Sequence, residues 1–254
     1  MGKIIAIVNQ KGGVGKTTTA VNLTNALHAA GKQVLLCDLD PQANATSGLG
    51  VEKGEEKSSY DILLDSSKTK ECITKTDYGD LIRSGAALSG AGIELVSVEG
   101  REGCLRRALR TVQNDYDYIL VDCPPSLEML TLNALVAADG ILIPVQCEYY
   151  ALEGLTDLMR TLRSVKAKMN RSLQIFGLVL TMYDGRTNLS VQVAEEVRRH
   201  FPGQVFTTVI PRNIRLSEAP SHGLPVQAYD RTSRGAEAYA ALAAEIIARE
   251  GGIK

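Results

Sequence analysis

The chain has 254 residues, 44% of them hydrophobic, which is enough apolar material for the core of one domain spanning residues 1–254. Its 28 Lys and Arg nearly balance 29 Asp and Glu, so the net charge of −1 excludes a globally basic nucleic-acid-binding protein. No apolar run approaches the ~18 residues of a membrane span, and the run at 4–8 is too short for a signal peptide. We therefore expect a cytoplasmic protein without a membrane anchor.

Short apolar runs alternate with longer amphipathic segments along the chain. A helix predicted at about 16–30 follows the first apolar run, and the runs lie at 3–8, 33–38, 118–122, 140–145, 174–181 and 205–210. Strands without polar alternation are buried on both faces. The pattern therefore predicts an α/β fold, with a mostly parallel, doubly wound sheet and helices on both faces. Ligands of such sheets bind at the carboxyl ends of the strands.

Residues 43–115 are less regular than the rest of the chain. They contain polar stretches at 52–59 and 66–80 and a basic segment at 101–110 that is predicted to be helical. We interpret this region as an excursion from the sheet and not as a second domain.

A glycine-rich loop joins the first predicted strand to the first predicted helix. It reads VNQKGGVGKTTT over residues 8–19. The Gly15-Lys16-Thr17 core fits a P-loop, in which backbone N–H groups wrap phosphates, the lysine neutralises them and the hydroxyl holds Mg²⁺. The ordinary spacing has glycine where Gln10 stands, and this chain instead has a second cation, Lys11. One nucleotide does not need that cation, so we expect Lys11 to have another use.

Acidic side chains follow two of the later predicted strands. Asp38 and Asp40 come at the end of the run at 33–38, and Asp122 ends the run at 118–122. Carboxylates beside a phosphate loop can hold the water shell of a metal or orient an attacking water, because phosphoryl transfer depends on positioning and charge neutralisation. For Asp38 and Asp40 alone, a turn before Pro41 is an equally good interpretation. Together with the loop, the three acids indicate a nucleotide site.

These motifs resemble those of the deviant P-loop ATPases of the MinD/ParA group. Further segments at 44–50, 144–154 and 209–220 resemble the ParA/Soj chromosome-partitioning branch, and the similarity is weakest at about 51–110. The resemblance implies a Mg²⁺-dependent ATPase that forms a homodimer around two ATP molecules and binds double-stranded DNA on the nucleoid without sequence preference. It also implies a ParB-type partner protein and hydrolysis of ATP, which resets the dimer. The missing long N-terminal extension favours a chromosomal over a plasmid version.

The resemblance further implies roles for individual residues. Lys11 would reach the partner subunit's phosphates, Lys16 would bind the β- and γ-phosphates, and Asp40 would serve hydrolysis, so these three would be catalytic. Thr17 and Asp122 would hold Mg²⁺, Asp122 through water. The residues implied to contact the nucleotide are Lys11, Gly12, Gly13, Val14, Gly15, Lys16, Thr17, Thr18, Pro211 and Asn213.

The second half of the chain carries a local excess of arginine over lysine. No lysine lies between Lys168 and Lys254, whereas arginines occur at 171, 186, 198, 199, 212, 215, 231, 234 and 249. Arginine forks suit phosphate contacts. Arg186 and Arg215 match family positions associated with DNA binding, and solvated arginines in surface salt bridges remain the alternative interpretation.

Three related classes share the loop. A MinD-like division-site regulator would end in a basic amphipathic helix, but the segment 240–253 carries Arg249 as its only cation. A relative of the nitrogenase iron protein would need cysteines that hold a cluster, and the five cysteines form no CxxC pair and are expected to be buried free thiols. An ATP-dependent ligase similar to dethiobiotin synthetase remains the alternative from another functional class. ATP turnover that is stimulated by a metabolite instead of DNA would indicate such a ligase.

Overall fold

The computed structural model describes residues 1–54 and 57–251. Within them a single sheet runs in the order β3-β4-β2-β5-β1-β6-β7-β8. Every neighbouring pair is parallel except β3 with β4. The strands are β1 (Lys3–Ile7), β2 (Val34–Asp38), β3 (Ile73–Thr74), β4 (Asp80–Ile82), β5 (Tyr118–Asp122), β6 (Gly140–Gln146), β7 (Gln174–Tyr183) and β8 (Val205–Pro211).

Helices cover both faces of this sheet. In β1, Ile4 and Ala6 belong to one apolar cluster, whereas Ile5 and Ile7 belong to the other, as expected for a strand buried on both sides. The helices are α1 (Lys16–Ala29), α2 (Asn44–Gly48), α3 (Ser59–Leu64), α4 (Leu88–Glu94), α5 (Cys104–Arg110), α6 (Met129–Ala137), α7 (Ala151–Lys168), α8 (Asn188–His200), α9 (Ile214–Glu218), α10 (Val226–Tyr229) and α11 (Arg234–Gly251).

The predicted fold class is confirmed, and the structure adds detail in the less regular region. Between residues 43 and 115 the chain adds two strands to the edge of the sheet, β3 and β4, and β3 is antiparallel. These strands have two and three residues, too few for an apolar pattern to be recognised in the sequence. The basic segment at 101–110 is helical as predicted and contains α5.

Other predictions concern the cysteines and the C-terminal helix. All five cysteines are free and buried. Across residues 1–54 and 57–251, the structure contains no helix that combines the length and apolarity needed to span a membrane. The C-terminal segment considered for membrane binding lies in α11, except for residues 252 and 253, which are outside the described part of the chain.

Strand register brings the predicted site residues to one edge of the sheet. Asp122 at the end of β5 is in register with Ile7 of β1 on one side and with Asp38 of β2 on the other. Three carboxyl ends therefore meet, with β5 in the middle, and the glycine-rich loop leaves β1 at one side of them. Neighbouring strands are about 4.8 Å apart, so Asp38 and Asp122 lie side by side.

Candidate functional site

The glycine-rich loop leads directly into the N-terminus of α1. Gly13 and Gly15 adopt φ of 75° and 92°, a left-handed backbone that glycine accepts without steric cost. A Cβ atom added to Gly12 or Gly13 would meet nothing within 4 Å, so the outer side of the loop is open. Since α1 begins at Lys16, its unpaired N–H groups and its dipole favour an anion at the loop.

Hydrogen bonds to two neighbouring strands, β6 and β7, hold the loop in place. Asn9 donates from Nδ2 to the carbonyl of Pro144 in β6 at 2.8 Å and accepts from the backbone N–H of Lys11 at 3.0 Å. Thr181 in β7 donates from Oγ1 to the carbonyl of Val14 at 2.8 Å. Sequence analysis did not identify Asn9 or Thr181, although the position of Thr181 near the carboxyl end of a predicted strand was a usable signal.

The two lysines of the loop have different environments. Lys16 is 7% exposed, and its Nζ donates to the backbone carbonyl of Lys11 at 3.0 Å, so the ammonium folds back over the loop. Burial lowers the pKa of Lys16, and the charge of Asp122 opposes that shift. The Lys11 side chain is partly exposed and forms an ion pair with Glu148, which follows β6.

Asp122 is a fully buried carboxylate. Burial, and secondly the neighbouring charge of Asp38, raise its pKa, whereas the hydroxyl of Thr17 and the charge of Lys16 act in the opposite direction. Among the described residues, neither Asp122 oxygen has a hydrogen-bond partner that meets ordinary distance and angle limits. Such a group in a native site calls for an ion or a water.

These oxygens fit a Mg²⁺ ion that keeps part of its water shell. In the described part of the chain, no group of three or more His, Cys, Asp or Glu side chains is arranged to hold a metal by itself. Mg²⁺ commonly binds through one or two protein oxygens, several waters and substrate phosphates. The Thr17 hydroxyl and the unpartnered Asp122 carboxylate, beside an open phosphate loop, match that donor set.

Two adjoining cavities extend along the carboxyl edge of the sheet. The loop cavity has a volume of about 370 Å³ and the β8 cavity about 260 Å³. The loop cavity is lined by Gly12, Gly13, Gly15, Lys16, Thr17, Thr18, Asp40, Gln42, Asn44, Pro125 and Met182. The β8 cavity is lined by Gly15, Thr18, Thr181, Met182, Ile210, Pro211, Arg212, Asn213, Leu216, Ser217 and Tyr239. The two cavities are neighbours because they share Gly15, Thr18 and Met182. Asp40 lines only the loop cavity, and Pro211 and Asn213 line only the β8 cavity.

The β8 cavity contains features that the sequence did not reveal. Met182 lines both cavities with φ of 51°, a left-handed conformation that costs a non-glycine residue on the order of 1–3 kcal/mol and is typical of functional sites. Asn213 caps α9 by accepting the backbone N–H of Arg215 at 3.0 Å, which fixes the side chain at the cavity. Tyr239 of α11 is held by Thr19 of α1, with 3.1 Å between the two hydroxyl oxygens.

The two arginines proposed for DNA lie on the same edge of the sheet. Arg186 follows β7 and Arg215 follows β8, and these strands pair with Tyr183 opposite Pro211. Both arginines are exposed and ion-paired within the chain. Arg186 contacts Asp184 at 2.7 Å, and its hydrogen bonds lower the pKa of Asp184 to about 2. Arg215 contacts two acids, Glu218 at 2.7 Å and Asp230 at 3.2 Å.

Comparison with known proteins places this geometry in a family. A family model described as an AAA domain matches residues 2–175. The chain is 58% identical over 251 residues to the sporulation initiation inhibitor protein Soj of Bacillus subtilis, covering 98% of this chain and 99% of that protein. It is 50% identical over 253 residues to the chromosome partitioning protein ParA of Caulobacter vibrioides, covering 98% and 95%.

Solved structures with the same fold carry nucleotide and magnesium. Cobyrinic acid a,c-diamide synthase from Mycobacterium smegmatis, with bound ADP and magnesium, superposes with a TM-score of 0.87 at 35% identity, covering 100% of this chain and 97% of that one. The septum site-determining protein MinD from Pyrococcus horikoshii, complexed with Mg-ADP, superposes with a TM-score of 0.81 at 28% identity, covering 100% and 98%. With half or more of its residues identical over nearly full length to Soj and ParA proteins, the chain belongs to the Soj/ParA family of chromosome-partitioning ATPases.

Proposed function

We propose that residues 1–254 act as one domain that binds ATP and Mg²⁺, forms a homodimer around the nucleotides, binds DNA in that state and is reset by hydrolysis. The observation that carries the proposal is the buried, unpartnered Asp122 beside Thr17 and Lys16 at an open phosphate loop. A carboxylate that has lost its water without gaining a partner is costly, and a hydrated cation removes that cost.

Within this proposal the phosphates lie in the loop cavity and the base lies in the β8 cavity. Backbone N–H groups of residues 12–18 wrap the phosphates, and Lys16 supplies a positive charge whose side chain is already folded over the loop. The Thr17 hydroxyl and, through water, Asp122 hold Mg²⁺. Pro211 and Asn213 border the space for the base. The Asn213 oxygen is engaged in capping α9, so its amide nitrogen would be the group that donates to the base.

Asp40 serves hydrolysis in this proposal. It lies at the loop cavity, partly exposed, two residues beyond the buried Asp38. From there its carboxylate orients a water toward the terminal phosphate, while Lys16 offsets the charge that develops on the phosphate oxygens. When bound, Mg²⁺ would neutralise charge on the phosphates.

The homodimer gives Lys11 and Gly12 their roles. Gly12 is exposed, and a Cβ atom there would meet open space in the single chain, so a second subunit can approach the loop closely at that point. Lys11 lies on the same open side and would reach the partner subunit's phosphates, as an arginine finger supplied in trans does.

DNA binding and the ParB-type partner complete the proposed cycle. Arg186 and Arg215 lie on one edge of the sheet, and a dimer doubles the number of phosphate contacts they offer. Such contacts position a protein without reading bases, which suits a nucleoid-associated, sequence-independent binder. A basic peptide of a ParB-type protein at the dimer seam would accelerate hydrolysis.

One alternative has specific support from a comparison. The synthase from Mycobacterium smegmatis matches the whole chain at 35% identity, so a metabolite ligase with the same fold is the second candidate. The 58% and 50% identity to Soj and ParA favours the partitioning switch over it. A MinD-like regulator is the third, and its fold neighbour is 28% identical.

The mass of the protein in solution tests the proposal. Size-exclusion chromatography with light scattering is run with ADP and with a non-hydrolysable ATP analogue, each with and without duplex DNA. We expect a monomer with ADP, a dimer with the analogue and a DNA complex only with the analogue. A monomer in all four conditions would reject the switch, and ATP turnover stimulated by a small carboxylic-acid metabolite but not by DNA would favour the ligase.

A further inference from the structure

The segment that carries Asp40 is held by a closed ring of hydrogen bonds. Asp38 accepts at Oδ2 from the backbone N–H and the hydroxyl of Thr46, at 2.8 and 2.7 Å, and at Oδ1 from the backbone N–H of Asp40 at 3.1 Å. Thr46 Oγ1 accepts the backbone N–H of Ser84 at 3.0 Å, and Ser84 Oγ donates to the Asp40 carbonyl at 2.7 Å. The four residues of this ring are Asp38, Asp40, Thr46 and Ser84.

Three of the four residues of the ring are fully buried. Asp38, Thr46 and Ser84 each have 0% exposure, whereas Asp40 is partly exposed at the loop cavity. Water cannot reach these buried groups to replace a lost hydrogen-bond partner. Removal of one side chain therefore leaves its buried partner unsatisfied. The three buried residues therefore restrict the backbone of Asp40, whose carboxylate is partly exposed.

Ser84 links this segment to a distant part of the chain. It follows the short strand β4, whose Ile82 is in register with Cys37 of β2, so the ends of the two strands lie together. The Asp40 carbonyl accepts from Ser84 Oγ and also from the backbone N–H of Ala43 at 2.8 Å. Ala43 has φ of 52°, an uncommon conformation for alanine that the surrounding bonds must maintain.

We infer that Thr46 and Ser84 are positioning residues for Asp40, which they hold at the loop cavity through its own backbone. The inference rests on the proposed role of Asp40 in hydrolysis and gives residues 51–110 a part in the site through β4 and Ser84. Positioning of a water-orienting carboxylate affects turnover strongly, because small displacements reduce the population of reactive geometry. In the proposed function, nucleotide affinity depends mainly on the loop of residues 12–18, so loss of a bond in the ring should affect turnover and not affinity.

Ser84→Ala removes the hydroxyl and keeps the backbone N–H that Thr46 accepts. We expect kcat for ATP hydrolysis to fall about five- to tenfold, the effect of one buried neutral hydrogen bond expressed as a rate, with unchanged affinity for a fluorescent ATP analogue. Ser59→Ala is the matched control, because Ser59 is a buried serine of the same region whose Oγ makes no hydrogen bond in the described residues. Equal turnover of the two variants would overturn the inference.

Thr46 is tested by a pair of substitutions. Thr46→Val keeps the shape and loses the hydroxyl, so turnover should fall at least as much as in Ser84→Ala, since two partners of the hydroxyl are affected. Thr46→Ser retains the hydroxyl and should restore turnover. If Thr46→Val does not fold, the comparison of Ser84→Ala with Ser59→Ala decides the inference. A folded Thr46→Ser variant that turns over as slowly as Ser84→Ala would contradict the role of the Thr46 hydroxyl in positioning Asp40.

A double-mutant cycle separates positioning from general destabilisation. In an Asp40→Ala background, Ser84→Ala should cause no further loss of turnover, because the group it positions is absent. A further fivefold loss in that background would show that Ser84 acts elsewhere and overturn the inference. If Ser84→Ala is slow while Asp40→Ala turns over normally, both the inference and the role of Asp40 fail. If only Asp40→Ala is slow, the inference fails and the proposed function stands.

Discussion

Lys11 and Glu148 form an ion pair between the glycine-rich loop and the turn after β6. The backbone on each side is fixed: Lys11 by the side chain of Asn9 and Glu148 by a hydrogen bond of its N–H to the Gln146 carbonyl at 2.8 Å. In the single chain, the lysine proposed to cross to the partner subunit is therefore already neutralised by its own chain. In the proposed dimer, Lys11 would exchange Glu148 for phosphate.

Glu148→Gln should make ATP-dependent dimerisation easier. Both side chains are about one-third exposed, so the pair contributes about 0–1 kcal/mol and the ATP concentration at half-maximal dimer should fall by up to about fivefold. Light scattering across a titration with the ATP analogue measures this half-maximal concentration. Glu153→Gln, on the exposed first turn of α7, is the control. A higher ATP requirement in Glu148→Gln would show that the carboxylate supports the dimer instead.

Gly12→Val should separate nucleotide binding from dimerisation. The added side chain meets nothing within 4 Å in the single chain, so folding and ATP affinity should be close to wild type. Against a second subunit the same side chain is a steric block, and analogue-dependent dimerisation should be lost, with Gly12→Ala intermediate. Lys16→Ala should instead lose nucleotide first. A normal dimer of Gly12→Val, seen by size-exclusion chromatography, would remove this glycine from the seam.

Asp40→Ala should bind ATP and accumulate as the dimer. The loop of residues 12–18 is untouched, while the group proposed to orient water is missing, so turnover should fall by about 10²–10⁴-fold, as for loss of a proton-accepting or water-orienting group. Asp40 Oδ1 also accepts the backbone N–H of Gln42 at 2.9 Å. Asp40→Asn keeps this turn and tests the charge alone. A parallel loss of nucleotide affinity in both variants would reassign Asp40 to nucleotide binding.

Arg186→Glu and Arg215→Glu should each abolish DNA binding while ATP-dependent dimerisation persists. In wild type, the logarithm of affinity should fall with the logarithm of salt concentration, with a slope growing by about 0.9 for each phosphate neutralised. Random and specific duplexes should compete equally. Arg199→Glu is the control, because Arg199 is also exposed and ion-paired but lies at the far end of α8 from the carboxyl edge.

Asp184→Asn tests whether the internal ion pair of Arg186 competes with DNA. Asp184 holds two nitrogens of the Arg186 guanidinium, at 2.9 and 2.7 Å, and phosphate must displace that carboxylate. The substitution frees the guanidinium and removes a negative charge from the surface, so DNA affinity of the dimer should rise. Unchanged or weaker binding in the same salt titration would argue that Arg186 does not face DNA.

Much of the candidate site was predictable because its chemistry depends on short spacings. Lys16 and Thr17 follow Gly15 at the start of a helix, and Asp38 and Asp122 end buried strands, so local patterns alone place all of them at carboxyl ends. The remaining lining could not be predicted in the same way. Thr181 contacts Val14 across 167 positions of sequence, and no local pattern records such a contact.

The short strand β4 shows why the surroundings of Asp40 could be predicted only in part. Three residues do not make a periodic pattern, so the sequence alone did not place Ser84 beside Asp40. Of the ion pairs of the proposed DNA arginines, one is likewise formed with a residue outside the local sequence. Asp184 and Glu218 lie two and three residues from Arg186 and Arg215, but Asp230 reaches Arg215 from fifteen positions away.

The amino-acid sequence by itself determined the parallel sheet, the phosphate loop and the acids beside it, because apolar runs and strand-end residues are local properties of the chain. Only the tertiary structure decided which distant groups meet them: Glu148 with Lys11, Ser84 with Asp40, and Thr181 with Val14. Parallel strands that are neighbours in space are far apart in sequence, so their register, and every contact between the loops that leave them, exists only once the sheet has formed.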